Sequence, residues 1–239
     1  MYIKRVIVDY RMEDQMKNNL EKLGYKIYDS FNNTNVHPSL SGHVDISLFF
    51  DGKNFISSKE SYSYYKKIIE DADFKNKYLL IEGDSFLDKS YPSDVKYNLC
   101  YTGKYAIGNF NYIDERLISR LKEIDAKFIN INQGYANCSI CCVDENSLIT
   151  SDEGIFKTLK NTDLDILKIE EGNIELQGMN YGFIGGASAQ LGNDNICFFG
   201  NINEHPNSNS IKKFIDKKGK KIMNLDSNKL KDYGGLIVF

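Results

Sequence analysis

Two ionisable residues, His43 and Asp45, stand two apart directly after Gly42, and a cysteine, Cys138, follows Gly134 in the run GYANCSICC. A thiol beside a histidine can be converted to a thiolate nucleophile that attacks an electron-poor, amidine-like carbon. The alternative reading of Cys138 is a small buried strand residue. His43 and Asp45 read either as a pair lining a channel or as a structural hydrogen-bonding pair. On a strand, residues two apart point the same way, so both would face one side. Cys138, Cys141 and Cys142 lack a second ligand pair at zinc-like spacing, and no metal is expected. His37 and His205 each precede a proline and read as structural or exposed.

The elements that must position these residues repeat along the chain in the order strand, tight turn, strand, helix, strand. One copy runs GHVDISLFF, DGKN, FISS, an amphipathic stretch over 59–71, then KYLLI. The next runs VKYNLCY, TGK, YAIGNF, a helix over 112–124, then KFINI; a third runs NCSICCV, DEN, SLITS, a short helix over 153–160, then DILKI. The fourth is GFIGGASAQL, GNDN, ICFFG, a helix over 206–217 and KKIMNL. A fifth is split: GGLIVF ends at Phe239, while the chain begins with YIKRVIVDY, a helix over 12–23 and YKIYD.

Turns beginning at Asp51, Thr102, Asp144 and Gly192 recur at roughly 40- to 50-residue intervals, the scale of a repeat architecture. Asp-Gly, Thr-Gly and Gly-Asn supply the positive-φ positions that tight hairpins demand. Leu117, Leu121 and Ile124 fall at helical spacing and give that helix one apolar face. A unit split between the termini completes its sheet only if the ends meet, and closure of that kind removes two exposed strand edges. The expectation is an α/β propeller of five pseudosymmetric ββαβ units forming a single domain over 1–239.

With the repeat in place, GHVDISLFF resembles the G-x-H-x-D-T-x-F motif of the guanidine-modifying enzymes, the pentein fold superfamily. That family includes arginine deiminases, dimethylarginine dimethylaminohydrolases and arginine:glycine amidinotransferases. The resemblance implies that His43 is the general acid/base and that Asp45 contacts a substrate guanidinium. The family's nucleophilic cysteine sits two units after the histidine, which lands on Cys138 and implies a circularly permuted member. GFIGGASAQLGND aligns with the family's F-T-R-D-x-S-x-W-I-G-N-G, but Gly186 stands where that motif has aspartate. KDYGGLIVF resembles E-G-G-D-V-L-V-F, but Tyr233 and Leu236 occupy the acidic positions, leaving Asp232, one residue away, as the candidate acid. Glu82 is a further candidate.

A guanidinium held in a channel needs paired carboxylates, so these losses imply a diverged pentein that lacks standard guanidine-modifying activity and binds a small ligand or a protein partner. Pentein proteins without enzyme activity, such as a ribosomal anti-association factor, belong to the same resemblance. The alternative is a cysteine-dependent, amidinohydrolase-like enzyme acting on a guanidine, amidine or amide. Neither reading implies a cofactor.

Composition bounds the rest. The chain has 239 residues, 41% hydrophobic and 13% aromatic, too apolar for a disordered protein. Its net charge of −3, with both signs mixed throughout, supplies no basic stripe for a nucleic-acid backbone. No apolar run reaches the roughly 18 residues that span a bilayer, and the first residues lack a signal-peptide core. Five cysteines at irregular spacing read as reduced thiols, and the expected location is cytoplasmic.

Overall fold

A computed structural model describes residues 4–70, 77–192 and 194–239. The expected strand positions Tyr2 and Ile3, the helix end at Asp71 and the turn residue Asn193 lie outside the described residues. From the N-terminal side the elements are β1 (Lys4–Val8), α1 (Asp14–Lys22) and β2 (Tyr25–Asp29), then α2 (Val44–Ser47), β3 (Leu48–Phe50), β4 (Asn54–Ser57), α3 (Lys59–Ile69) and β5 (Leu79–Glu82). There follow β6 (Cys100–Tyr101), β7 (Tyr105–Gly108), α4 (Glu115–Glu123) and β8 (Lys127–Asn130). The third group is α5 (Ala136–Ser139), β9 (Ile140–Asp144), β10 (Ser147–Thr150), α6 (Glu153–Leu159) and β11 (Asp165–Lys168). The last are β12 (Ser188–Leu191), β13 (Asn195–Phe198), α7 (Ser208–Lys217), β14 (Lys221–Asn224) and β15 (Ile237–Val238).

Five three-stranded sheets result, each with an antiparallel first pair and a parallel second pair joined through a helix. The hairpin turns close on Gly52 and Gly103, whose φ values of 93° and 91° are open to glycine at no steric cost. The split unit is completed as expected: β15 pairs antiparallel with β1, Val6 opposite Val238 and Ile7 opposite Ile237. The Phe239 carbonyl accepts from the Arg5 N–H at 3.2 Å.

The apolar core is distributed over the seams between units. Leu117 and Leu121 of α4, both fully buried, pack with Ile46, Phe49 and Ile56 of the preceding unit. Asp114 starts that helix by accepting from the Arg116 and Leu117 N–H groups. A second cluster joins Cys100 and Ile107 to Ile140 and Leu148, and a third joins Val143 and Ile149 to Ile196 and Phe198. A fourth joins Leu191 and Phe199 to Val6 and Val8, and a fifth joins Ile7 to Leu48 and Phe55. Each unit is thus stapled to two neighbours, and the series returns to its start. One fully buried Leu or Phe side chain contributes roughly 1.5–3 kcal/mol, so no seam is dispensable.

The first strands of all five units surround one central cavity of about 630 Å³, lined among others by Phe50, Tyr101, Asn137, Gln190 and Phe239. Here the structure corrects a sequence expectation. The apolar runs read as long first strands are strands only in their second halves. Residues 44–47 and 136–139 form the short helices α2 and α5, the stretches before β6 and β12 are turns or irregular, and of GGLIVF only Ile237–Val238 is extended. Pro206 lies two residues before α7 instead of opening it.

Candidate active site in the central channel

His43 is the N-cap of α2 and Asp45 lies in its first turn, so the pair does not share a strand face. The two still come together beside Cys138, and the chain enters α2 through a tight contact. A Cβ on Gly42 would lie 2.0 Å from Asp9 Oδ1, and the Ser30 hydroxyl donates to the Gly42 carbonyl at 2.5 Å. Asp9, fully buried, is itself held by Arg11, whose Nε and Nη2 donate to its two oxygens.

Cys138 lies within α5 and not on a strand, and its thiol meets Asp45, whereas Cys141 on β9 joins the apolar seam with Ile196. The Cys138 thiol donates to Asp45 Oδ2 at 3.0 Å, and the Asn137 amide donates to the same oxygen at 3.0 Å. Asn98, from the turn before β6, donates to Cys138 Sγ at 3.2 Å. Sequence reasoning missed both asparagines. A usable signal existed, since Asn98 stands two residues before β6 as Cys138 stands two before β9.

Asp232 arrives from the C-terminal segment. Its oxygens accept from the Phe183 N–H at 2.8 Å and the Gly234 N–H at 3.0 Å, and Oδ1 lies 3.8 Å from His43 Nε2. The Tyr233 and Gly235 N–H groups both donate to the Gly186 carbonyl at 3.0 Å, laying this segment along the fourth unit. A Cβ on Gly186 would fall 1.9 Å from Asp232 Oδ1. The carboxylate therefore occupies the space that a side chain at position 186 would fill. Glu82, the other acid considered, is exposed at the end of β5.

His43, Asp45, Cys138 and Asp232 are all buried. Burial pushes the Asp45 carboxyl up to about 6 and raises Asp232, while it lowers His43. Burial, reinforced by Asp45 and Asp232, pushes the Cys138 thiol well up. At neutral pH the histidine is thus neutral and the thiol protonated. Neither His43 nitrogen has a hydrogen-bond partner, nor does Asp45 Oδ1. Three unpaired polar atoms in so dry a place are costly unless a ligand or water meets them.

A donor atom from each of His43, Asp45 and Cys138 lies within 4.8 Å of the others, the one such cluster among the described residues with the geometry to hold a metal ion. The cluster sits between two cavities. Asp45 and Asn137 reach the central one, and Asp232 reaches a second of about 630 Å³ lined by Arg11, Ser39, Tyr181 and Lys231. His37 and His205 stand apart from it, each using Nδ1 to accept a backbone N–H two residues on.

The five ββαβ units give this chain the pentein fold, that of the guanidine-modifying enzymes. DDAH from Pseudomonas aeruginosa, solved as a cysteine-to-serine mutant complexed with citrulline, superposes with a TM-score of 0.58 at 12% identity, covering 95% of this chain and 93% of that one. Agmatine deiminase from C. jejuni gives 0.57 at 10% identity, over 93% and 87% of the two chains. An amidinotransferase of a saxitoxin biosynthetic pathway from Microseira wollei gives 0.55 at 12%, over 90% and 74%. Residues 7–237 match the family of unknown function DUF6873, and the chain belongs to that family. No curated protein matches it in sequence. Among the described residues no helix is long and apolar enough to cross a membrane.

Proposed function

We propose that this protein is a cysteine-dependent enzyme of the guanidine-modifying type, acting on a small cationic guanidine or amidine. The observation that carries this reading is the buried cluster itself. Cys138, His43, Asp45 and Asp232 meet between the two cavities, with unpaired polar atoms on His43 and Asp45. The reading from sequence favoured a diverged, inactive pentein because acids were missing from two motifs. Asp232 beside His43 and Asp45 beside Cys138 supply two carboxylates around one small volume, which is what a buried cation requires.

The resting charges suit such a substrate. Two carboxylates disfavour a thiolate, and a bound cation offsets them, lowering the thiol's pKa where the nucleophile is needed. In the reading proposed, His43 takes the Cys138 thiol proton, Sγ bonds to the amidine carbon, and His43 delivers that proton to the departing amine as the C–N bond breaks. Water then attacks the same carbon, His43 takes its proton, and the C–S bond breaks to regenerate Cys138.

A second reading is a channel that binds a cation without turnover. It is favoured by the thiol's hydrogen bond to Asp45 in place of His43. Incubation with guanidino compounds such as arginine and agmatine separates the two. The enzyme reading expects release of ammonia or amine by the wild type and none by Cys138→Ser. Thermal stabilisation by one of these compounds without any product would leave only the binding reading.

A further inference from the structure

Asn98 is fully buried and comes from the second unit, which contributes no ionisable residue to the cluster. Its side chain makes three contacts with one short segment of the third unit. Oδ1 accepts from the Asn137 N–H at 2.8 Å and from the Cys138 N–H at 3.4 Å, while Nδ2 donates to Cys138 Sγ at 3.2 Å. The N-cap residue of α5, Tyr135, provides no side-chain cap, so these N–H groups lack the partner a helix start ordinarily finds in its own chain segment. Asn98 supplies it from across the seam.

This arrangement fixes the amide's orientation. The two backbone donors require the oxygen on their side, which leaves the NH₂ group facing sulfur. Burial, Asp45 and Asp232 work against ionisation of Cys138, whereas the Asn98 donor favours it. The Asn98 backbone N–H donates to the Val95 carbonyl at 3.1 Å, so the residue is anchored within its own turn.

We propose that Asn98 is the positioning residue of the nucleophile: one amide caps the segment that carries Cys138 and holds a hydrogen-bond donor on its sulfur for the thiolate. This inference rests on the reading of Cys138 as a nucleophile. Two roles are joined in one side chain, and they can be separated. Asn98→Asp keeps an acceptor for the backbone N–H groups but replaces the sulfur's donor with a carboxylate. Asn98→Ser keeps a shorter acceptor and exchanges the amide donor for a single, shorter hydroxyl without adding charge.

The test is the pH profile of Cys138 alkylation by iodoacetamide, with Cys138→Ser as the blank for the other thiols. In the wild type the profile should differ from that of the urea-unfolded chain and should shift in His43→Ala. Asn98→Asp should retain the fold by circular dichroism and move the midpoint upward by about one pH unit, a roughly tenfold slower reaction at pH 7. Asn98→Ser should move it the same way by less, and decides the question if the aspartate variant does not fold. A wild-type profile identical to that of the unfolded chain and indifferent to His43→Ala overturns the nucleophile reading itself. A profile that responds to His43→Ala but to neither folded Asn98 variant overturns the role of Asn98 alone.

Discussion

The first and fourth units meet the channel in opposite ways. In the first, the segment ahead of the inner strand is the helix α2, which delivers His43 and Asp45. In the fourth, the corresponding stretch ahead of β12 carries Gly185 and Gly186 and delivers no side chain. A Cβ on Gly185 would lie 2.1 Å from the Asn137 carbonyl and 2.6 Å from that of Cys138. One on Gly186 would meet Asp232. The difference shows that a narrow ring cannot accept a large residue from every unit: one contributes functional groups because another contributes room.

This contrast can be broken at either glycine, and the two should not break equally. Gly185→Ala drives a methyl into backbone carbonyls of the segment bearing Cys138, which cannot swing aside. A loss of about 3 kcal/mol or more in urea unfolding is expected. Gly186→Ala presses only on the Asp232 side chain and should cost less, about 1–3 kcal/mol. Adding Asp232→Ser to it should recover most of that loss, a coupling that a double-mutant cycle would measure. Equal losses at the two glycines, or no coupling, would contradict the exchange of space described here.

The smallest effect sharpens the comparison from the other side. Asp45 has a folded-state pKa near 6 against 3.8 for the ordinary carboxyl, because burial disfavours its charge. The folded chain then holds a proton that the unfolded chain has released, so this group's contribution falls as pH rises from about 4 to about 6 and stays low above. Asp45→Asn keeps the shape and removes the titration. It should be more stable than the wild type at pH 7 by about 2 kcal/mol, with the advantage vanishing near pH 4. His43, lowered by burial, acts with the opposite sign as pH falls through 6.5, and the difference between the two proteins cancels it. Parallel stability curves would show that Asp45 carries no such strain.

Much of this architecture is legible in the residues. Positive-φ glycines mark three of the hairpins, the repeated order of apolar runs and turns marks the units, and Leu117 with Leu121 marks a one-faced helix. The entry helices are not legible, because a four-residue helix of small and apolar residues running into a strand reads as one continuous apolar segment. Motif spacing reaches His43, Asp45 and Cys138. It points to Asp232 as the remaining acid but not to its place, since Asp232 fills the space at position 186 while lying 46 residues from it in sequence. Asn98 belongs to no motif and acquires meaning only across a seam.

The seam between β15 and β1 brings together strands that lie far apart in the chain. Asp232, 3.8 Å from His43, precedes by only a few residues the strand that docks beside Val6 and Ile7. The pairing that closes the ring and the carboxylate beside the histidine thus share one short segment. A disturbance of that seam would therefore reach the buried cluster.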